Sequence, residues 1–249
     1  NIKDTGATLS SEDLPALRET GVWRVEPWAN DPQQHILIHT FGYSSFIVNS
    51  TLVKSADEPR SLKELAQARW KGKMVSWDPR QDSGKYEFFL PLLKRKLIDI
   101  DTVQAIGKND VVWTATMMDA VQSVMRGQYA LFIGGGITFS DSVRAEPTLP
   151  VKLVDFEEGV VVSNLATALV KNSPHPNAAK LFINWIFTQE GQRVFVTAKG
   201  RIPVRKDVPD FTPGSLRFTP TRPVLPTLED QQEIVARFRE GYLANLWGK

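Results

Sequence analysis

The chain has 249 residues, 42% of them hydrophobic, which is long enough for one large domain or two modest ones. Its 30 basic and 28 acidic residues leave a net charge of +2, too small to indicate attraction to nucleic acid or to a membrane surface. The lack of cysteine excludes disulfides, thiolate catalysis and cysteine metal sites, and no run approaches the roughly 20 apolar residues of a membrane span.

The N-terminal part of the chain predicts two short helices and one long extended segment. Ser10 caps the first helix and Gly21 ends it. The run from His35 to Asn49 is rich in β-branched and aromatic residues and alternates in part between apolar and polar, which indicates strand. Ser61 and Glu64 stand at capping-box spacing and predict the start of the second helix.

Strands and helices alternate through the middle of the chain. A turn at Gly72 leads into a strand that ends at Trp77, and an apolar helix follows from Tyr86 to Leu97. Further elements are predicted as a helix at Asp119–Arg126 and strands at Tyr129–Ile133, Val151–Phe156 and Val160–Val170. This alternation predicts an α/β protein with a mostly parallel sheet in each of two lobes, flanked by helices.

The C-terminal part of the chain predicts two further helices. Asn177 caps the first, which follows a turn rich in proline. Its predicted apolar face consists of Leu181, Phe182, Trp185 and Ile186. The Pro- and Thr-rich segment Pro209–Pro226 is expected to run over the surface, and the helix Leu228–Leu246 is expected to pack across the first lobe.

Two segments carry a signal more specific than periodicity. Residues 71–79 read Lys-Gly-Lys-Met-Val-Ser-Trp-Asp-Pro. Residues 168–192 combine an apolar strand, a Pro-His-Pro-Asn-Ala-Ala turn, a helix containing Phe-Ile and a final Glu-Gly-Gln. In these two segments the chain resembles the extracellular solute-binding proteins of ABC importers, of the iron, thiamine, phosphonate and polyamine type.

The resemblance implies a two-lobe fold of the type II periplasmic-binding-protein kind. The first lobe is expected to comprise residues 1–72 and 165–249, and the second lobe residues 73–164. Family members open with a strand, a long helix and another strand before the point that Asp4-Thr5-Gly6 matches, so the first lobe is expected to be incomplete at its N-terminus.

The resemblance also implies a function. The chain is expected to capture a small-molecule ligand between two lobes and to deliver it to ABC permease subunits, in the periplasm or outside the cell. No cofactor, nucleic acid or membrane insertion is expected. An enzyme or a sensor module on the same architecture is the alternative, although no catalytic motif is present.

Three loops are candidates for ligand contact, because ligands of open α/β sheets bind beyond the carboxyl ends of the strands. The first holds Asp78, Ser83 and Gly84. Ser83 and Gly84 open a helix, and the free N–H groups of a helix N-terminus suit an anion. The alternative is that Asp82 or Ser83 only caps the helix.

The second loop follows the strand that ends at Ile133 and holds Gly135, Gly136 and Ile137. Consecutive glycines allow close backbone approach to a ligand, although a plain turn needs no ligand. The resemblance places contacts of the second lobe in this loop. The third loop holds Tyr43 and Ser44, with a core position for Tyr43 as the alternative.

The resemblance bears on ligand chemistry as well. Ferric members of the family carry paired tyrosines after the strand that corresponds to Tyr129–Ile133, where this chain has glycines. We therefore predict a small polar, anionic solute and no metal site. A polyamine held by Asp78, Glu157 and Glu158 is the alternative.

Overall fold

The computed structural model describes residues 6–81, 84–134, 140–217 and 219–248. The strands are β1 Gly6–Ala7, β2 Leu37–Ser44, β3 Ile47–Asn49, β4 Met74–Trp77, β5 Val112–Thr114, β6 Leu131–Phe132, β7 Val151–Leu153, β8 Val160–Thr167, β9 Leu169–Val170, β10 Ile202–Pro203 and β11 Pro223–Val224. The α-helices are α1 Gly84–Lys94, α2 Ile100–Gly107, α3 Met117–Met125, α4 Ser140–Ala145, α5 Pro176–Phe187, α6 Gln189–Lys199, α7 Leu228–Arg239 and α8 Tyr242–Trp247.

The chain divides into two compact units. Unit 1 comprises Asn1–Gly42 and Ser163–Thr212, and unit 2 comprises Tyr43–Val162 and Pro213–Lys249. This division differs from the expected lobes, because residues 43–72 and the C-terminal helices belong to unit 2.

A mixed sheet forms the centre of unit 2. Among the described residues its strands follow the order β5-β4-β6-β3-β7. β4 is parallel to both β5 and β6, with Val75 opposite Val112 and Phe132. β3 is antiparallel to β6 and β7, so the sheet combines parallel and antiparallel pairs. The antiparallel strand β3 enters from the long extended segment, which breaks after Ser44 into two strands.

The core of unit 2 explains why residues 43–72 belong to it. Phe46 contacts Phe88 and Phe156 with ring centroids 4.8 Å and 5.3 Å apart. Leu62 and Trp70 are buried in the same cluster, in short 3₁₀ segments at Leu62–Ala66 and Ala68–Trp70 and not in the predicted α-helix. Because these side chains bury their apolar surface on the unit 2 helices, their contacts place the segment there.

The C-terminal helices also pack within unit 2, so the prediction that one helix crosses the first lobe is wrong. The Trp247 indole Nε1–H donates to the Val103 carbonyl at 2.8 Å, and the Leu243 N–H donates to the Tyr86 hydroxyl at 3.1 Å. The predicted single helix is two helices, since Gly241 adopts a left-handed conformation with φ 65° between α7 and α8.

Unit 1 contains the antiparallel pairs β1–β9 and β2–β10 and the helices α5 and α6. The helix α5 begins at Pro176 and not after a cap at Asn177. Proline is favourable in a first helical turn, where its missing N–H has no intrahelical role.

The predicted apolar face of α5 is wrong in part. Leu181 and Phe182 are 72% and 57% exposed, whereas Ile183, Ile186 and Phe187 are buried. Two contacts to the N-terminal part of the chain set the orientation of α5. The Asn184 side chain accepts a hydrogen bond from the Ala16 N–H at 2.8 Å, inside the 3₁₀ turn Pro15–Arg18. Lys180 pairs with Asp13, just before that turn, at 2.6 Å. Leu181 and Phe182 lie on the opposite face of α5 and consequently face solvent.

Candidate functional site

Two of the predicted ligand loops start from neighbouring strands. β4 and β6 are parallel and adjacent, with Met74 opposite Leu131 and Val75 opposite Phe132. The loop after Trp77 and the glycine loop after Ile133 therefore leave the same edge of the sheet, at the carboxyl ends of the strands. Ser83, Gly135, Gly136 and Ile137 lie outside the described residues.

Two aromatic rings pack together where β4 and β6 end. The rings of Trp77 and Phe132 stack with centroids 5.5 Å apart and an interplanar angle of 19°. A Cβ on Gly134 would lie 2.4 Å from the Trp77 ring and 2.5 Å from the Phe132 ring. The first glycine of the loop is therefore required by ring packing, and Trp77 is a core residue.

The side chain of Lys85, in the first turn of α1, is buried at this edge and only 1% exposed. Its Nζ atom lies 3.4 Å from the centroid of the Trp77 ring and 6.0 Å from that of Trp113. An ammonium over an indole face is stabilised by the ring quadrupole. Sequence reasoning did not single out Lys85 as a buried residue; the signal for its burial is its place at the start of an apolar helix.

Asp78 follows β4 directly and pairs with Arg80. The Arg80 Nε–H donates to both carboxylate oxygens of Asp78, at 2.9 Å and 3.0 Å, and the Arg80 backbone N–H donates at 2.9 Å. The Arg80 side chain above all, with a smaller contribution from the charge of Lys85, lowers the pKa of Asp78 to about 2. Asp78 is therefore ionised at neutral pH, and Arg80 balances its charge.

Glu158 has a contact elsewhere in unit 2. Its two carboxylate oxygens lie 2.9 Å and 3.1 Å from the Leu62 backbone nitrogen, whose N–H donates to the carboxylate. This bond caps the 3₁₀ segment Leu62–Ala66, in the position that the sequence assigned to Ser61. Among the described residues, Glu158 is thus bonded to the segment Leu62–Ala66.

The third predicted loop lies where the chain passes into unit 2. Tyr43 begins that part of unit 2 and is half-buried, and Ser44 ends β2 and is buried. The neighbouring Ser45 hydroxyl donates to the Val154 carbonyl, which ties the end of β2 to the chain after β7. Ligand contact by Tyr43 and Ser44 stays a prediction.

The described residues contain no group of three or more His, Cys, Asp and Glu side chains that could hold a metal ion. His35 Nδ1 lies 3.2 Å from an Asp31 carboxylate oxygen. His39 packs against Phe195, and burial together with the charge of Arg201 lowers its pKa to about 4, so it is neutral at pH 7. The helices described here include none long and apolar enough to cross a membrane.

Relatives in sequence are consistent with this architecture. The chain is 27% identical over 162 residues to an Fe(3+)-binding periplasmic protein of Serratia marcescens, a match that covers 61% of this chain and 46% of the relative. The matched region thus spans less than half of the curated relative's length.

Solved structures share the fold at low sequence identity. Iron-bound HitA from Pseudomonas aeruginosa has a TM-score of 0.70 and 18% identity, over 96% of this chain and 76% of its own. Ferric iron-binding protein A of Mannheimia haemolytica in an open conformation has a TM-score of 0.74 and 14% identity, over 98% and 78%. AfuA from Actinobacillus pleuropneumoniae, with exogenous fructose-6-phosphate bound, has a TM-score of 0.69 and 16% identity, over 95% and 76%.

A longer match shows which family the chain belongs to. Residues 7–220 match a model of the bacterial extracellular solute-binding proteins. This region includes both segments on which the resemblance depends and most of both compact units. The chain therefore belongs to the bacterial extracellular solute-binding protein family, with the type II periplasmic-binding-protein fold of its structural neighbours.

Proposed function

We propose that this protein is the solute-capturing component of an ABC import system. It binds a small anionic solute reversibly outside the cytoplasm and delivers it to a membrane permease, without chemical turnover. Family membership supports the binding role. The single observation that carries the ligand class is the buried Lys85 ammonium at the carboxyl ends of β4 and β6.

Two sources of positive potential coincide at this edge. Lys85 is buried, so its charge is screened less by water than a surface lysine would be. The helix α1 begins at Gly84, and its N-terminal end adds the positive end of the helix dipole. Phosphate, phosphonate and carboxylate groups accept charge-assisted hydrogen bonds from such a terminus, with Ser83 and Gly84 as the proposed contacts.

The charge balance of the loop supports an anion over a polyamine. Asp78 is neutralised by Arg80, and the Glu158 carboxylate accepts from the Leu62 N–H. A polyamine would compete with the partners that both carboxylates already have. Lys85, in contrast, contributes a buried positive charge at this edge. The fructose-6-phosphate bound to AfuA, a structural neighbour, supports the phosphorylated class.

Ferric iron is the second candidate, because the Serratia relative and HitA are named for it. The positions that follow β6 and hold paired tyrosines in ferric members begin here with Gly134. One of the four tyrosines of the chain, Tyr86, accepts a hydrogen bond from the Leu243 N–H inside unit 2. We therefore place an anionic organic or phosphorylated solute ahead of iron.

A thermal-shift panel tests the proposal with four probes: fructose 6-phosphate, inorganic phosphate, ferric citrate and putrescine. A ligand that binds only the folded state raises the melting temperature with increasing concentration. We expect stabilisation by at least one phosphate probe and none by putrescine. Stabilisation by putrescine alone would refute the anionic class, and iron that stays bound after dialysis would favour the ferric alternative.

A second measurement tests binding against turnover. Fructose 6-phosphate, if it stabilises the protein, is incubated with it and recovered for mass spectrometry. We expect the compound back unchanged, since a binding protein releases what it captures. Conversion to a product that grows with protein concentration would instead mark an enzyme on this fold.

A further inference from the structure

Unit 1 buries a neutral histidine between β2 and α6. His39 lies on β2 and is 5% exposed, and its ring packs edge-on against Phe195 of α6 with the centroids 4.7 Å apart. Its Nδ1 atom is inaccessible to solvent and has no hydrogen-bond partner among the described residues. A proton on this atom would therefore be a buried donor without an acceptor.

Gln192 holds α6 on this strand. Its side chain is fully buried, its Nε2–H donates to the His39 carbonyl at 2.7 Å, and its Oε1 accepts from the Val204 N–H at 3.0 Å. The helix α6 thus contacts His39 through both Phe195 and Gln192. Full exposure of the His39 ring consequently requires α6 to separate from β2.

The charges described around His39 oppose its protonation. The strands that flank β2 in the sheet, β8 and β10, have no ionisable side chain, and β2 itself adds the phenol of Tyr43. On α6, Glu190 and Arg193 are exposed. Arg201, just before β10, is 6% exposed, and its positive charge acts on His39. Protonation of His39 would thus add a second cation in the field of a buried guanidinium.

Burial above all, together with the charge of Arg201, lowers the pKa of His39 to about 4 from its ordinary value of 6.5. Above the ordinary value the ring is neutral whether it is buried or exposed, so its titration does not alter stability. As the pH falls from 6.5 to about 4, an exposed ring takes up a proton that the buried ring refuses. Acid in this range therefore favours every state of unit 1 in which the ring is exposed.

We propose that the contact between α6 and β2 is an acid-sensitive switch, in which protonation of His39 separates the helix from the strand. The exposed imidazolium gains hydration, which a buried cation lacks. A protein outside the cytoplasm meets the pH of its surroundings, and this contact makes unit 1 responsive to that pH. The switch does not depend on the class of solute that the protein binds.

Hydrogen exchange of the full chain, followed by mass spectrometry, tests the proposal. Exchange at about pH 7.5 and about pH 5, corrected for the intrinsic effect of pH on amide exchange, gives the opening constant of each segment. We expect the opening constant of α6 to be about 25-fold larger at the lower pH, given a pKa of 6.5 for the exposed ring and about 4 for the buried ring. The strand β4 of unit 2 is the internal reference, because all three histidines belong to unit 1. Its opening constant should stay nearly unchanged.

Two variants assign the effect to one histidine. His39→Gln keeps an uncharged polar side chain and removes the titration, so its α6 should open to nearly the same extent at both pH values. His175→Gln, at the exposed residue before α5, is the matched control and should retain the increase of the parent protein.

A titration of the histidine ring signals by nuclear magnetic resonance needs no change at His39. His35→Gln and His175→Gln identify the signals of the other two rings by their disappearance. We expect the His39 ring of the parent protein to stay neutral to below about pH 5.

Several outcomes would overturn the proposal. An opening constant of α6 that does not increase in acid contradicts it, and so does an equal increase in α6 and β4, which would indicate unfolding of the whole chain. An increase that His39→Gln retains, or that His175→Gln abolishes, would assign the effect to another group. Titration of the His39 ring near its ordinary pKa of 6.5, with α6 still protected, would show that the contact tolerates the charge.

Discussion

The ammonium of Lys85 lies 3.4 Å from the centroid of the Trp77 ring, and that ring is in turn stacked on Phe132. The cation is thus held by aromatic residues at the ends of two parallel strands, β4 and β6. Burial of a charge is unfavourable unless the surroundings or a ligand compensate it. An anionic ligand near the Lys85–Trp77 contact, as proposed above, would interact more strongly than at the surface, because a buried charge is screened less by water.

Replacing Lys85 by Met separates binding from stability. Met retains the length of the side chain without its charge, and removal of a buried charge is often neutral or stabilising. We expect an unchanged or higher free energy of unfolding, together with an affinity for the stabilising phosphate probe that falls about tenfold or more. Calorimetric titration and urea denaturation measure the two quantities.

The control for this change is Lys63→Met, at a surface lysine that pairs with Asp99 at 3.6 Å. It should alter neither affinity nor stability appreciably, because exposed pairs contribute little. Equal affinity of the Lys85→Met variant and the parent protein would remove the support for an anion at this edge.

Gly134→Ala is expected to destabilise unit 2 by about 1–3 kcal/mol, the usual effect of overpacking a filled core. The added Cβ would lie 2.4 Å from the Trp77 ring, which is itself stacked on Phe132. Gly214→Ala is the control, since a Cβ there meets no atom within 4 Å. Equilibrium urea unfolding compares the two variants, and similar midpoints would show that the stacked rings can move aside.

Substitutions on two faces of α5 test its orientation. Ile183→Ala should lower the free energy of unfolding by about 2–4 kcal/mol, because Ile183 is buried and its truncation leaves a cavity. Leu181→Ala should change it by less than about 0.5 kcal/mol, because Leu181 is exposed. Thermal and urea unfolding measure both. A larger loss at Leu181 would indicate that this face is covered in solution.

The buried carboxylate of Asp230 predicts a loss of stability in acid. Burial raises the pKa of Asp230, but hydrogen bonds from the Thr227 N–H, Lys94 and Arg95 outweigh it and hold the pKa below its ordinary value of 3.8. A carboxyl with a depressed folded pKa stabilises the protein above the unfolded pKa. That contribution is lost as the pH falls through the folded pKa.

Asp230→Asn isolates this effect. We expect the variant to be less stable than the parent at neutral pH by about 1–3 kcal/mol, since two cations lose their shared partner. The difference should shrink as the pH falls below about 4, where Asp230 takes up a proton first in the unfolded chain, and should keep shrinking towards the lower pKa of the folded protein. A difference that stays constant from pH 7 to about pH 3 would contradict the assignment.

Local pattern determined several elements of this protein. Gly72 and the apolar run after it predict β4, and the apolar residues from Tyr86 onwards predict α1, which begins two residues earlier and ends at Lys94. The segments at 71–79 and 168–192 indicated the family that residues 7–220 match. These features could be predicted because each depends on neighbours in the chain.

Tertiary contacts decided the rest. Leu62 and Trp70 belong to unit 2 because they are buried in one cluster with residues of the helices after β4, such as Val103 and Ile106. The buried face of α5 depends on Asp13 and Ala16, which lie more than 150 residues away in sequence. Burial of Lys85 depends on the Trp77 ring, which the stack on Phe132 holds in place. Residue pattern shows which side chains are apolar or charged, whereas only long-range packing determines which of them lose contact with water.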